Sequence, residues 1–156
     1  MKICIGAVKT HYSKKVKTIK ELAVDSGKSV DWAKCTGIKQ VHVVDDGIIT
    51  SEEATIVADE LLKDANVNPK EIDQLVYISE GMGDYLYMDT SKTVIRNIGG
   101  RTDGVIYTYD ICRESNGTIG AIKFAGNHML TETSRNKHSP WQLFCCCYTP
   151  GDETSV

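Results

Sequence analysis

Val105–Ala125 reads VIYTYDICRESNGTIGAIKFA, and within it a β-branched and aromatic run gives way to a helical pattern. Val105, Ile106, Tyr107, Thr108, Tyr109 and Ile111 are strand formers, whereas Thr118, Ala121, Ile122 and Ala125 recur at helical spacing. Between the two lies Arg113-Glu114-Ser115-Asn116-Gly117, room enough for one sharp turn. A strand, an elbow and a helix N-terminus in that order aim a side chain at the positive end of the helix and at its unsatisfied N–H groups. Many α/β enzymes hold a nucleophile there. The residue at that point is Ser115.

Outward from this stretch, the same alternation runs along the chain. Lys2–Val8 predicts a strand, Thr18–Ser26 a helix closed by Gly27, Ser29–Cys35 a short helix closed by Gly37, and Gln40–Val44 a strand. Ala54, Val57, Ala58, Leu61, Leu62 and Ala65 form one apolar stripe, with Thr50 and Glu53 at capping-box spacing before it. Asn68-Pro69 ends that helix, Leu75–Ser79 predicts a short buried strand, and Thr90–Ile98 a helix stopped by Gly99-Gly100. Trp141–Tyr148 is apolar enough for a last strand. Strands alternating with helices imply right-handed crossovers and an α/β fold with a covered, largely parallel sheet.

Composition narrows the function. A chain of 156 residues suits one domain with a real core, expected over 1–148, with a flexible tail at 149–156 containing Pro150-Gly151. The net charge of −3 is spread over mixed Lys and Glu, so neither nucleic acid nor a membrane surface is favoured as a partner. No stretch reaches membrane-spanning length, and the N-terminus has its apolar run before its basic residues, the reverse of a secretory signal. A cytoplasmic protein is expected. The cysteines Cys4, Cys35, Cys112, Cys145, Cys146 and Cys147 include no CxxC pair, and His11, His42, His128 and His138 have no ligand spacing. Neither a metal site nor a disulfide framework is expected, and the cysteines read as small buried hydrophobes.

Five blocks, taken together and in order, resemble the ketoacyl-ACP synthase III family of thiolase-fold condensing enzymes. KKVKTIKEL at Lys14–Leu22 is similar to the family's EKVLTNxEL, and SVDWAKCTGI at Ser29–Ile38 to SDEWIxxRTGI. The helix Ser51–Asn66 followed by NPKEIDQLVYIS is similar to AxxALxxAGLxPxDIDxIIxxT. GDYLYMDTS at Gly83–Ser91 resembles PDYLFPST, and YDICRESNG resembles FDxxAACSG. The similarity runs from about Ile5 to Asn136. It implies a thiolase-like half-fold, a mostly parallel mixed sheet with covering helices, corresponding to the family's N-terminal half.

The resemblance also marks departures. Aligned without gaps from Asp110 to Gly117, the family's nucleophilic cysteine falls on Ser115. A thiol is brought into the thiolate range by a helix N-terminus, but a serine hydroxyl needs an adjacent general base, and nearby only Glu114 offers one. Ser115 as an N-cap is the preferred reading. Cys112 is the rival nucleophile, reached only by displacing the turn three residues and losing the Asp110 and Gly117 matches; it reads better as a small core thiol. The resemblance implies CoA contact at Trp32, yet Cys35 stands where the family places an arginine before Thr36-Gly37, a neutral thiol in place of a phosphate-binding fork. Trp32 therefore reads equally as an aromatic anchor of its short helix. Tyr87 corresponds to the residue presented to the neighbouring subunit's acyl pocket. The family's catalytic histidine and asparagine come from its second half, and nothing in this sequence matches them.

What the resemblance implies is no tightly bound cofactor, acyl-CoA or acyl-carrier protein as substrates, and a homodimer or a heteromer with a thiolase-fold partner. Two functions follow. The preferred one is a partner subunit or truncated homologue in fatty-acid or polyketide-type acyl assembly, catalytically incomplete alone. The other is an acyltransferase using Ser115 or Cys112 with groups supplied by another chain.

Overall fold

The computed structural model describes residues 4–35, 37–45, 47–79, 84–85, 87–103, 106–112, 117–132 and 141–147, with backbone alone for 32–33, 131–132 and 141–147. Contacts divide the chain into two units, Met1–His11 with Ile49–Tyr148, and Tyr12–Ile48 with Thr149–Val156.

In the second of these, β1 (Lys15–Thr18), α1 (Ile19–Asp25), α2 (Val30–Cys35) and β2 (Gln40–Val43) follow one another. β1 and β2 pair antiparallel, Lys15 opposite Val43 and Thr18 opposite Gln40. Thr18 ends the strand by capping α1 in a reciprocal box: its N–H donates to Glu21 Oε2 at 2.7 Å, and the Glu21 N–H donates to Thr18 Oγ1 at 3.3 Å. This satisfies N–H groups that the first helical turn leaves without partners. The predicted helices and the Gln40 strand are thus present.

The other unit holds α3 (Thr50–Ala65), a 3₁₀ turn (Pro69–Glu71), β3 (Ile72–Ser79), α4 (Thr90–Asn97), β4 (Tyr107–Cys112), α5 (Gly117–Glu132) and β5 (Trp141–Cys147). Its sheet has the order β4-β3-β5, and both pairings are parallel. The alternation of strands and helices expected from the sequence is therefore realised. Ala54, Ala58 and Leu62 of α3 and Val94 and Ile95 of α4 pack with Leu75 and Tyr77 on one face of β3. Ala121 and Ala125 of α5 pack with Val76 and Ile78 on the other. A central strand covered on both faces must be apolar at successive positions rather than alternate ones, which is why Leu75-Val76-Tyr77-Ile78 is unbroken. α3 closes on Asn66 at φ 53°, and α4 on Gly99 at φ 76°, the left-handed conformation that ends a helix cheaply.

Two expectations fail here for physical reasons. Residues 4–8 of the predicted first strand are neither helix nor strand, and Ile5 and Val8 are 74% and 78% exposed. Strand propensity acts only where a neighbouring ladder and a packed face exist, and among the described residues nothing pairs with them. The segment is instead tied to α3 by polar side-chain contacts, Lys9 Nζ to Asp64 at 2.7 Å and His11 Nε2 to Glu53 at 3.0 Å. The capping box of Thr50 and Glu53 is likewise absent: Ile49 is the N-cap and makes no side-chain cap bond.

Candidate active site

β4 and α5 are the strand and the helix expected on either side of the Arg113–Asn116 connection. β4 ends at Cys112, opposite Ser79 of β3, and α5 begins at Gly117. Cys112 thus lies at the carboxyl edge of a parallel sheet, where open α/β sheets bind their ligands. Residues 113–116, and with them Ser115, lie outside the described residues. Cys112 is an exposed thiol outside any disulfide, not the core thiol expected. It is the last residue of β4, which pairs on one side only, with β3, among the described residues. Cys4 and Cys35 are exposed as well, so the reading of the cysteines as buried hydrophobes fails at all three described side chains.

Two carboxylates organise the helices around this edge. Asp110, on β4, accepts from the N–H of Thr90 at 2.6 Å and of Ser91 at 2.9 Å, so both its oxygens cap α4. Asp84 accepts from the Ser51 N–H at 3.2 Å and from the Thr50 hydroxyl, and so begins α3. Each donates negative charge to a helix N-terminus from far away in sequence. Asp110 thereby fixes the start of α4 against β4. Sequence reasoning from local spacing missed both caps. The signal was present in the quoted motifs, where an aspartate stands at each position of the family pattern.

The segment before α4 projects outward: Tyr85, Tyr87 and Met88 are 58%, 93% and 55% exposed. Lys92 pairs with Asp89, and that hydrogen bond holds its pKa above the usual lysine value. Trp32 lies on α2, where only the backbone is described, and Cys35 is the last residue of that helix. Among the described residues no group of three or more His, Cys, Asp or Glu side chains is placed to hold a metal ion. Among them, too, no helix is long and apolar enough to cross a membrane.

α5 is apolar on two sides. Ala121 and Ala125 are buried against the sheet, while Ile119, Ile122 and Leu130 remain 61%, 40% and 49% exposed. A helix that is apolar all round normally has cover all round.

The fold is that of known thiolase-fold proteins. A glutamate-to-aspartate variant of OleA from Xanthomonas campestris bound with cerulenin superposes with a TM-score of 0.67 at 22% identity, over 78% of this chain and 38% of that one. A cysteine-to-serine variant of OleA with bound lauric acid and lauroyl-CoA matches equally well, TM-score 0.67 at 23% identity, over 78% of this chain and 38% of that one. In sequence, the β-ketoacyl-[acyl-carrier-protein] synthase III of Ehrlichia canis (strain Jake) is 30% identical over 124 residues, 79% of this chain and 38% of the relative. That of Bordetella petrii is 32% identical over 77 residues, 49% of this chain and 23% of the relative. No protein-family model matches the chain. The chain therefore has a thiolase-like fold and is similar to the N-terminal part of ketoacyl-ACP synthase III proteins, and it spans well under half the length of these relatives.

Proposed function

We propose that the chain serves fatty-acid or polyketide-type acyl assembly in the cytoplasm as a partner subunit, catalytically incomplete by itself. The observation that carries this reading is the β4–α5 elbow, in which the sequence has Ser115 where the family motif has cysteine. A helix N-terminus lowers a thiol pKa into a useful range but leaves a serine hydroxyl protonated. The exposed Ile119, Ile122 and Leu130 of α5 support a thiolase-fold partner, either a second copy or a different chain. Tyr87, 93% exposed, is the side chain such a partner's acyl pocket would receive. Acyl-CoA or acyl-carrier protein is the corresponding ligand, with no tightly bound cofactor and Trp32 as the CoA contact.

The competing reading, an acyltransferase acting through Ser115 or Cys112, is favoured by one observation: the Cys112 thiol is exposed at the carboxyl edge of the sheet. Incubation with acyl-CoA and with acyl-carrier protein, followed by intact-mass measurement, separates the two. The expected result is an unmodified chain. A stable acyl adduct that disappears in Ser115→Ala or Cys112→Ala overturns the inert-subunit reading.

A further inference from the structure

The chain enters and leaves the segment Tyr12–Ile48 at two points pinned to α3. The entry is held by His11, whose Nε2 lies 3.0 Å from Glu53 Oε2 in the first turn of that helix. The exit is the start of α3 itself, where the Ser51 N–H donates to Asp84 at 3.2 Å. Both anchors belong to the larger unit, Met1–His11 with Ile49–Tyr148. Between them little is covered. Ala23 is buried among the described residues of the segment, Ile19, Leu22, Val41 and Val43 are half-buried, and Val16 and Val24 are exposed. The helices α1 and α2 have 7 and 6 residues, far below the length at which a helix persists in water without packing, and the sheet is a single pair of strands. Elements that bury so little apolar surface open at a free energy below that of the whole fold. The central strand β3, with helices packed on both faces, is the opposite case.

We propose that Tyr12–Ile48 is a conformational device that opens and recloses as one unit while the β4-β3-β5 sheet stays folded. Opening as a unit, rather than fraying piece by piece, follows from contacts that join its parts. The Ile19 N–H donates to the Lys39 carbonyl at 3.1 Å, tying the start of α1 to the chain entering β2, and Lys17 Nζ to Asp25 at 2.6 Å ties β1 to the end of α1. α1 in turn contacts α2. Each part is too short to persist when its neighbours leave, so β1, α1, α2 and β2 are lost together. Trp32 lies on α2, inside this unit, so opening also withdraws the residue assigned above to CoA. That consequence rests on the functional reading; the opening itself does not.

Native-state hydrogen exchange of the full chain, with no ligand added, tests it. The reporters are the Ile19 and Lys28 amides, hydrogen-bonded inside the unit, and the Val76 and Ile78 amides of the central ladder. Protection at Ile19 and Lys28 is expected to agree within about threefold and to lie at least about tenfold below that at Val76 and Ile78. Ala23→Gly, which loosens α1 at its buried residue, is expected to speed exchange at Ile19 and Lys28 about tenfold and to leave Val76 and Ile78 unchanged. A smaller gap between the two pairs of amides, or a substitution that speeds all four alike, makes the chain one cooperative unit and overturns the proposal. Ile19 and Lys28 disagreeing beyond the threefold margin marks local fraying and overturns it as well.

Discussion

The two units of this chain solve the same problem with different means. The β3–β4–β5 unit places Leu75, Val76, Tyr77, Ile78, Val94 and Ala121 at 2% exposure or less, between helical layers on both faces of the sheet. In the β1–β2 unit, Ala23 is the buried hydrophobic residue among the described ones, while Tyr12, Val16, Val24 and Ile38 remain between 43% and 74% exposed. A two-stranded sheet with little to bury is marginal by itself, so that unit leans on a helix cap, ion pairs such as Lys17–Asp25 at 2.6 Å, and a ladder of four residue pairs. Burial stabilises in proportion to area, whereas exposed polar contacts return little. Alternation of strands and helices alone therefore does not make a core; a strand needs cover on both sides.

The largest effect should come from breaking the buried side of this contrast. Leu75→Ala removes a fully buried side chain from the central strand and is expected to cost about 2–5 kcal/mol in urea unfolding. Val16→Ala, on half-exposed β1, should change stability by no more than about 0.5 kcal/mol. Equal losses would abolish the distinction. Next in size is Asp110→Ala, which strips two N–H bonds from α4 and should cost about 1–3 kcal/mol; Asp110→Asn should recover part of it. Faster amide exchange at Thr90 and Ser91 would tie the loss to the cap rather than to β4.

The smallest effect lies in the exposed unit. The Thr18 N–H and hydroxyl hold the Glu21 carboxyl below its ordinary pKa. A carboxylate whose folded pKa is depressed contributes stability above its unfolded value and loses it as pH falls through the folded one. The amide signals of Thr18 and Glu21 should therefore shift together on acidification below the ordinary glutamate range, and Glu21→Gln should remove that shift. A Thr18 amide indifferent to acid would show the box to be open in solution.

Much of the buried unit was legible in the sequence. The stripe of Ala54, Ala58 and Leu62 lies where its spacing put it, and the unbroken apolar run of β3 reads as a strand covered twice. The change from β4 to α5 was legible because strand and helix periodicities differ so sharply on either side of it. What escaped was non-local. Thr50 and Glu53 had the right spacing for a local cap, but Asp84 fills that role from 33 residues beyond Ser51. Lys2–Val8 had strand composition, yet residues 4–8 have no ladder among the described residues. For the candidate site, the sequence pointed to the elbow and to Cys112 but misjudged the thiol's exposure, since exposure depends on which strand is outermost.

The sequence by itself determined the order of elements, the elbow, the thiolase-like character of the fold and the serine in the cysteine's place, because periodicity, turn chemistry and residue identity are local properties. Only the tertiary structure decided that β3 is central and β4 outer among the described strands, and that Asp84 and Asp110 begin α3 and α4. Each of these depends on residues meeting across the fold, and the free energy of such meetings is written in no single stretch of chain.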